Sequence, residues 1–136
     1  MDDMFKTLHI AASGMRAQGA RLRVVAENIA NAESMAAEPG GEPYRRRVVT
    51  FDSALDTAIG ATTVKVGKVV PDRSAFPKQF DPSHPAADAD GYVLQPNVNS
   101  LIEMADMREA QRSYEANLNT IRAARTMLQD TIEVIR

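Results

Sequence analysis

The chain has 136 residues, of which 44% are hydrophobic and 25% are charged, and its formal net charge is −2. This length predicts one domain with a modest core, and the near-neutral charge argues against nucleic acid or anionic lipid as the principal partner. The sequence has neither Cys nor Trp, so disulfides and thiolate chemistry are excluded and the core must use small and aliphatic side chains, which are typical of packed helices.

The N-terminal residues do not resemble a secretory signal. Residues 1–6 are acidic where a signal would be basic, and the following run is interrupted by His9, Gly14 and Arg16. We therefore expect neither a cleavable signal peptide nor a membrane-spanning segment.

Residues 4–31 carry apolar or small side chains at alternating steps of four and three, which predicts a helix with one buried face. Gly14 and Gly19 each disfavour a helix interior by about 1 kcal/mol relative to Ala, so we expect a weak helix whose small side chains let a neighbouring backbone come close. We expect residues 28–31 to end it, because Asn tolerates the left-handed conformation that closes helices. The stripe consists of Leu8, Ala12, Met15, Gly19, Leu22, Ala26 and Ile29.

The middle of the chain predicts a small β-rich insert. Residues 32–42 are polar and contain Pro39, which indicates a loop. Residues 44–51 are rich in β-branched and aromatic side chains, and residues 62–70 alternate with period two, so both are predicted strands.

The rest of the insert has weaker signals. Residues 52–61 fit either a helical turn or an irregular connection. Residues 76–90 contain three prolines, which predicts irregular structure. Residues 91–94 predict a short third strand.

A second, longer helix is predicted from about residue 100 to the last residue. Ser100 and Glu103 match a capping box, in which each side chain bonds the other residue's backbone, and no Pro or Gly follows Pro96. About 36 residues make a rod of roughly 54 Å, whereas a compact domain of this length has a radius of gyration of about 14 Å, so the helix must find partners. Its heptad stripe is Met104, Met107, Gln111, Tyr114, Leu118, Ile121, Arg125, Leu128, Ile132 and Ile135.

These patterns predict a mainly α protein with a small β insert, in which the long terminal helices pair as a coiled coil. The predicted domains are residues 1–33, 34–96 and 97–136. Each stripe could be simply the buried face of an intramolecular pair, but surplus apolar flanks, such as Val24 and Val134, favour a bundle in which neighbouring molecules supply further helices. The predicted helix-pairing and assembly residues are Leu8, Met15, Leu22, Ile29, Met104, Met107, Tyr114, Leu118, Ile121, Leu128, Ile132 and Ile135.

The most ligand-like segment is residues 81–91. It aligns with a calcium loop only in its centre, because Ala86 falls at the first ligand position and Asn97 falls where a bidentate Glu is needed. His84 and Asp81 supply too few ligands for a transition metal. We therefore expect Asx-turns here, and neither a metal nor a cofactor.

The basic run Arg45, Arg46 and Arg47 raises the alternative of a nucleic-acid site, but no aromatic residues are interleaved with it. A solvated or subunit-contacting strand is the preferred interpretation. The sequence contains no nucleophile elbow, no glycine-rich phosphate loop and no His spaced for a catalytic triad. We therefore predict that the protein is not an enzyme and has no catalytic residue.

Residues 12–18 and 26–32 resemble the N-terminal signature of the bacterial flagellar axial proteins, which include rod and hook subunits. Other segments resemble the proximal-rod members of that family, whereas the loop near residue 40 and residues 52–75 depart from them. The similar segments are residues 44–46, 80–85, 88–93, 96–99, 103–107 and 112–117.

The resemblance implies a structural subunit of the rod, the drive shaft that crosses the periplasm, transmits torque and encloses the export channel. It implies export through the flagellar type III apparatus, terminal helices that form the inner tube wall, and contacts with further copies, neighbouring rod proteins and the junction of the membrane ring with the export gate. Two alternatives stay open: another axial protein, or a helical adaptor or secretion chaperone that is a stable monomer or a closed dimer.

Overall fold

The computed structural model describes all 136 residues and contains two long helices and two small sheets. The predicted class, mainly α with a small β insert, is confirmed. Neither helix combines the length and the apolar character that crossing a membrane requires. The elements are α1 (Asp2–Ala30), β1 (Arg47–Asp56), β2 (Ala61–Pro71), β3 (Lys78–Phe80), β4 (Tyr92–Leu94) and α2 (Ser100–Ile135).

The chain divides into two compact units, and each contains part of both helices. Unit 1 comprises Met1–Leu22, Val49–Lys68 and Arg108–Arg136. Unit 2 comprises Arg23–Val48 and Val69–Met107. The boundaries predicted near residues 33 and 96 stay predictions.

Helix α1 begins with acidic residues in its first turn, where they complement the positive end of the helix dipole. Its last residue is Ala30, and the next amide, of Asn31, donates to the carbonyl of Glu27 at 3.1 Å. No residue other than glycine has a positive φ, so the expected left-handed ending at Asn is wrong. An ordinary turn ends the helix instead.

In unit 1, α1 and α2 contact each other in antiparallel directions. Arg21 Nη2 lies 3.5 Å from Glu109 Oε2, and a Cβ at Gly14 would lie 2.8 Å from Asn117 Nδ2. Partners nearer the start of α1 thus lie nearer the end of α2.

The buried face of α2 differs by one residue from part of the predicted stripe. In unit 1, Ala110 and Ala124 are buried, whereas Gln111 and Arg125 of the predicted heptad stripe are exposed. The difference has a physical reason, because the small side chains let α1 approach closely while the longer polar ones reach solvent.

Strands β1 and β2 form a two-stranded hairpin, and such a hairpin is marginally stable by itself. The amide of Val64 in β2 donates to Ser13 Oγ of α1 at 3.2 Å, which attaches the hairpin to the helix. Strand β1 begins at Arg47 and continues to Asp56. The expected helical turn or irregular connection is therefore wrong for residues 52–56, which are strand.

Strands β3 and β4 pair antiparallel, with Phe80 opposite Tyr92. The expectation that residues 76–90 are irregular is therefore wrong for residues 78–80. Pro77 and Pro82 lie outside the strand, so no ladder hydrogen bond is lost to proline. The rings of Phe80 and Tyr92 meet edge to face with centroids 5.4 Å apart.

The expected Asx-turn in residues 81–91 is confirmed at Asp88. Its Oδ1 accepts hydrogen bonds from the amides of Asp90 at 3.0 Å and Tyr92 at 2.9 Å. Gly91 has φ of 84°, and a Cβ there would lie 2.9 Å from the Phe80 ring. This position requires glycine both for its backbone conformation and for its close contact.

The two helical glycines make a matched pair for testing the contact between the helices. Gly19→Ala has no atom within 4 Å of its new Cβ, so we expect it to raise the free energy of unfolding by about 1 kcal/mol through helix propensity. Gly14→Ala has the same propensity gain but displaces the Asn117 amide, which donates to the Ser113 carbonyl at 3.0 Å. We therefore expect denaturant unfolding to show a smaller increase, or a decrease, in the free energy of unfolding of Gly14→Ala. Equal increases for both variants would contradict the close contact of Gly14 with Asn117.

Candidate assembly interface

The four assembly residues predicted on α1 are half-buried within the single chain. The fully buried apolar positions of this helix are mostly smaller side chains, Ala11, Ala17, Val24 and Val25. None of these four positions belongs to the predicted stripe of α1, although the small side chains among them allow the close helix contact that the sequence predicts. The four predicted residues are Leu8, Met15, Leu22 and Ile29.

The eight residues predicted on α2 fall into two groups. Three are exposed: Met104 at 51%, Ile132 at 54% and Ile135 at 74%. The roles of all twelve predicted residues in assembly stay predictions. The half-buried group consists of Met107, Tyr114, Leu118, Ile121 and Leu128.

Unit 1 exposes several large apolar side chains near the start of α1 and the end of α2. A cavity of about 410 Å³ lies between the two helices there. Exposed apolar patches of this kind are typical of protein–protein contacts. The exposed residues are Met1 just before α1, Phe5 and Ile10 on α1, and Met127, Ile132, Val134 and Ile135 on α2. The cavity is lined by Asp3, Met4, Thr7, Thr120, Ala123, Ala124 and Met127.

Unit 2 has a second exposed apolar patch, at the beginning of α2. Leu101 is 78% exposed and Ile102 is 55% exposed, and Met104 follows them. The residue between Ile102 and Met104 is Glu103, which is completely buried. One turn of helix therefore presents apolar side chains to solvent and a carboxylate to the interior.

Glu103 is the centre of a buried polar cluster that connects α1, α2 and the chain before β1. Its Oε1 accepts from Arg46 Nε, and its Oε2 accepts from Asn28 Nδ2 at 3.3 Å. Asn28 is 1% exposed, and its Oδ1 accepts from the Tyr44 hydroxyl at 2.8 Å and the Arg47 amide at 3.0 Å. We call Asn28, Tyr44, Arg46, Arg47 and Glu103 the Glu103 cluster.

Arg46 has further carboxylate partners besides Glu103. Its Nη1 lies 3.2 Å from Asp72 Oδ2, and its Nη2 lies 3.7 Å from Asp106 Oδ2. Burial alone would lower the pKa of Arg46, but hydrogen bonds and charge from Glu103 and Asp72 outweigh burial and raise it. The arginine therefore stays charged inside the cluster.

Two other pKa values respond to this region. Burial raises the pKa of Tyr44, with Arg47 opposing and Glu27 and Glu103 reinforcing the shift. Hydrogen bonds from the backbone and hydroxyl of Ser74, followed by those from Arg46, lower the pKa of Asp72.

The rest of the arginine run is bound within unit 2 in different ways. The Arg45 guanidinium lies 4.1 Å from the Phe76 ring centroid, and its Nη1 donates to the Asp72 carbonyl at 2.8 Å. Arg47 is the only one of the three arginines that is exposed, and its Nη1 lies 3.2 Å from Glu27 Oε2 in an ion pair. The expected solvated strand is wrong for Arg45 and Arg46, because both precede β1 and hold neighbouring segments of their own chain. A subunit contact of this run stays a prediction.

The predicted capping box is also wrong, although its location for the start of α2 is right. Asn99 is the cap, because its Oδ1 accepts from the amides of Leu101 at 3.1 Å and Ile102 at 3.4 Å. The Glu103 carboxylate is occupied by Asn28 and Arg46 instead of the backbone at the helix start. The sequence contained the correct signal, since Asn is as good a cap as Ser.

The chemistry of the cluster is that of a closed ion pair. Its charged atoms bond one another, and no group of three or more His, Asp or Glu side chains is placed to hold a metal ion. The arrangement can hold segments of the chain in position, and it presents no activated nucleophile.

The ion pair predicts unequal costs for removing its two members. Arg46→Met leaves a fully buried carboxylate with Asn28 alone, which should lower the free energy of unfolding by about 3–5 kcal/mol. Glu103→Met removes the buried charge itself while Arg46 keeps Asp72 and Asp106, so a loss on the order of 1 kcal/mol is expected. Denaturant unfolding measures both, and a costlier Glu103→Met would contradict the assigned burial.

The lowered pKa of Asp72 predicts a pH dependence of stability. A carboxyl whose pKa is lower in the folded state stabilises the fold above its unfolded pKa of about 3.9, and this contribution disappears as the pH falls through the folded pKa. Asp72→Asn cannot ionise. The stability advantage of the unaltered chain over this variant should therefore shrink below about pH 4, and an advantage independent of pH would exclude the role of Asp72.

Two family models of flagellar rod proteins match parts of this chain. The family model described as "Flagella basal body rod protein" matches residues 8–33, which lie mostly in α1. The model described as "Flagellar basal body rod FlgEFG protein C-terminal" matches residues 89–134, which include most of α2.

Curated relatives that are described as flagellar basal-body rod protein FlgC cover nearly the entire chain. The relative from Agrobacterium fabrum is 52% identical over 136 residues, covering 100% of this chain and 98% of the relative. The relative from Bacillus subtilis is 38% identical, and the match covers 96% of this chain and 97% of the relative. The relative from Salmonella typhimurium is 40% identical, and the match covers 90% of this chain and 91% of the relative. The chain belongs to the flagellar basal-body rod protein FlgC family.

Proposed function

We propose that this protein is a structural subunit of the proximal rod, the drive shaft that crosses the periplasm, transmits torque and encloses the export channel. Membership of a family of structural rod proteins supports this function. The protein is not an enzyme, and its function requires contacts between subunits instead of a reaction.

The observation that carries the assembly mechanism is the set of large apolar side chains left exposed on the two helices. The regions matched by the rod family models include most of α1 and most of α2. Helix α2 exposes Met104, Ile132 and Ile135. The half-buried predicted residues serve pairing within the chain as a coiled coil. The exposed ones contact adjacent subunits, where their burial contributes about 25 cal/mol per Å².

The proposed contacts between subunits are heterologous, so different surfaces of each subunit meet. A rotation that does not close generates a helical tube. The terminal segments, residues 1–33 and 97–136, form the inner wall, and residues 34–96 face outward. Torque passes through many interlocked helices, and no single residue carries it.

We further propose that the subunit is exported by the flagellar type III apparatus. Its neighbours in the rod are further copies, other rod proteins and the junction of the membrane ring with the export gate. The family to which the chain belongs supports a place in the basal body, and the more specific neighbours follow from the resemblance described above.

A charged side chain at an exposed residue of the heptad stripe of α2 tests assembly separately from folding. Ile132 is 54% exposed, so Ile132→Asp should change the free energy of unfolding by less than about 0.5 kcal/mol. In the rod the same carboxylate would be buried without a partner, which is strongly unfavourable. We expect cells carrying this variant as their only copy to export the subunit but to lack rods in electron micrographs of isolated basal bodies.

The matched control is Ile132→Leu, which keeps the apolar volume and should assemble normally. Normal motility of Ile132→Asp cells would contradict the proposed role of this helix. Sedimentation of the purified chain as a closed dimer that hides Ile132 would favour the adaptor or chaperone alternative.

A further inference from the structure

We propose that Glu103 and Arg46 are positioning residues that set the register of the last turn of α1 against the first turn of α2, and that rod assembly requires this register. The inference rests on the proposed function, since it concerns how α2 is presented to neighbouring subunits. It assigns a role to the Glu103 cluster beyond stabilising the fold.

The first observation is that the buried carboxylate bonds two different elements. Glu103 accepts from Asn28 of α1 and from Arg46, which precedes β1. Sliding α2 by one turn would move the carboxylate about 5.4 Å, beyond hydrogen-bonding distance of either partner. An unpaired buried charge costs several kcal/mol, so displaced registers are strongly disfavoured.

The second observation is that Asn28 cannot follow such a displacement. Its side chain bonds both backbone groups of Arg47: Nδ2 donates to the carbonyl at 2.9 Å, and Oδ1 accepts from the amide at 3.0 Å. The Tyr44 hydroxyl occupies the same Oδ1 at 2.8 Å. Asn28 is thus fixed to the chain that enters β1, and Glu103 must come to it.

The third observation is that Arg46 does not need Glu103 as its partner. Asp72 and Asp106 both pair with Arg46 and are partly exposed, with side-chain accessibilities of 27% and 31%. An apolar side chain in place of Glu103 would therefore leave no charge stranded. A buried ion pair is often no more stabilising than apolar residues of similar volume, whereas buried polar groups can specify register.

The fourth observation connects the register to the subunit surface. Ile102 and Met104 flank Glu103 in the sequence, and both are more than half exposed. Any rotation or sliding that displaces the Glu103 carboxylate moves these apolar side chains with it. The cluster therefore fixes where unit 2 presents an apolar surface that the proposed function assigns to contacts between subunits.

The direct test is a distance measurement in the full-length chain. Because the chain contains no cysteine, spin labels can be attached only where cysteines are introduced, at the exposed residues Ala30 of α1 and Ala105 of α2. Pulsed electron paramagnetic resonance should give one narrow distance distribution for the unaltered cluster. Glu103→Met should broaden it or add a population displaced by about one helical turn, roughly 5 Å, while circular dichroism retains the helix content.

Two further variants separate register from stability. Arg46→Met combined with Glu103→Met makes the cluster apolar on both sides, so we expect a broadened distribution like that of Glu103→Met. Glu103→Gln keeps the shape of the side chain and an acceptor oxygen, so its distribution should be closer to that of the unaltered chain. In cells, the fraction that is motile should fall at least about tenfold for Glu103→Met and recover partly for Glu103→Gln.

Each result decides the proposal. An unchanged distance distribution in Glu103→Met would overturn the proposal, and so would normal motility of cells carrying that variant. A loss of helix content in Glu103→Met would also overturn it, because Glu103 would then serve stability alone. Normal assembly of Ile132→Asp would instead count against the proposed function, while the distance distributions would still report on the register.

Discussion

Unit 2 depends on one buried interaction, the contact of the Glu103 carboxylate with Arg46 and Asn28. A charge removed from water is costly unless it is paired and hydrogen-bonded, so these three side chains must come together whenever this unit folds. Glu103 belongs to α2, Asn28 to α1, and Arg46 to the chain entering β1. The contact thereby holds three segments that are distant in sequence against one another, without a large aromatic core.

Unit 1 is held by a different kind of contact. Ala11, Ala17, Ala110 and Ala124 are its buried apolar residues, and the close approach at Gly14 leaves no room for a Cβ without movement of Asn117. Small side chains allow close packing but bury little apolar area for each residue. The larger apolar side chains therefore lie at the margins or in solvent, where they are available to neighbouring subunits in the proposed rod.

The sequence was sufficient for the elements with a strong period and insufficient for the side-chain partners. Both helices and the β2 strand followed from hydrophobic spacing, and the start of α2 from a capping signal, although the cap is Asn99. Periodicity alone could not place the α2 seam, because Ala110 and Gln111 lie side by side on the helix and only the facing helix decides which is buried. Nor could it pair Glu103 with Arg46, since that contact joins distant segments and both residue types usually lie in solvent.

The central claim is that the apolar residues exposed on the terminal helices of the single chain are covered in the assembled rod. A reconstruction of the intact basal body with side chains resolved measures this directly. We expect Met104, Ile132 and Ile135 to be buried against neighbouring subunits, with α1 and α2 forming the inner wall of the tube. A rod in which these three side chains face solvent, or in which the two helices lie away from the tube wall, would contradict the claim.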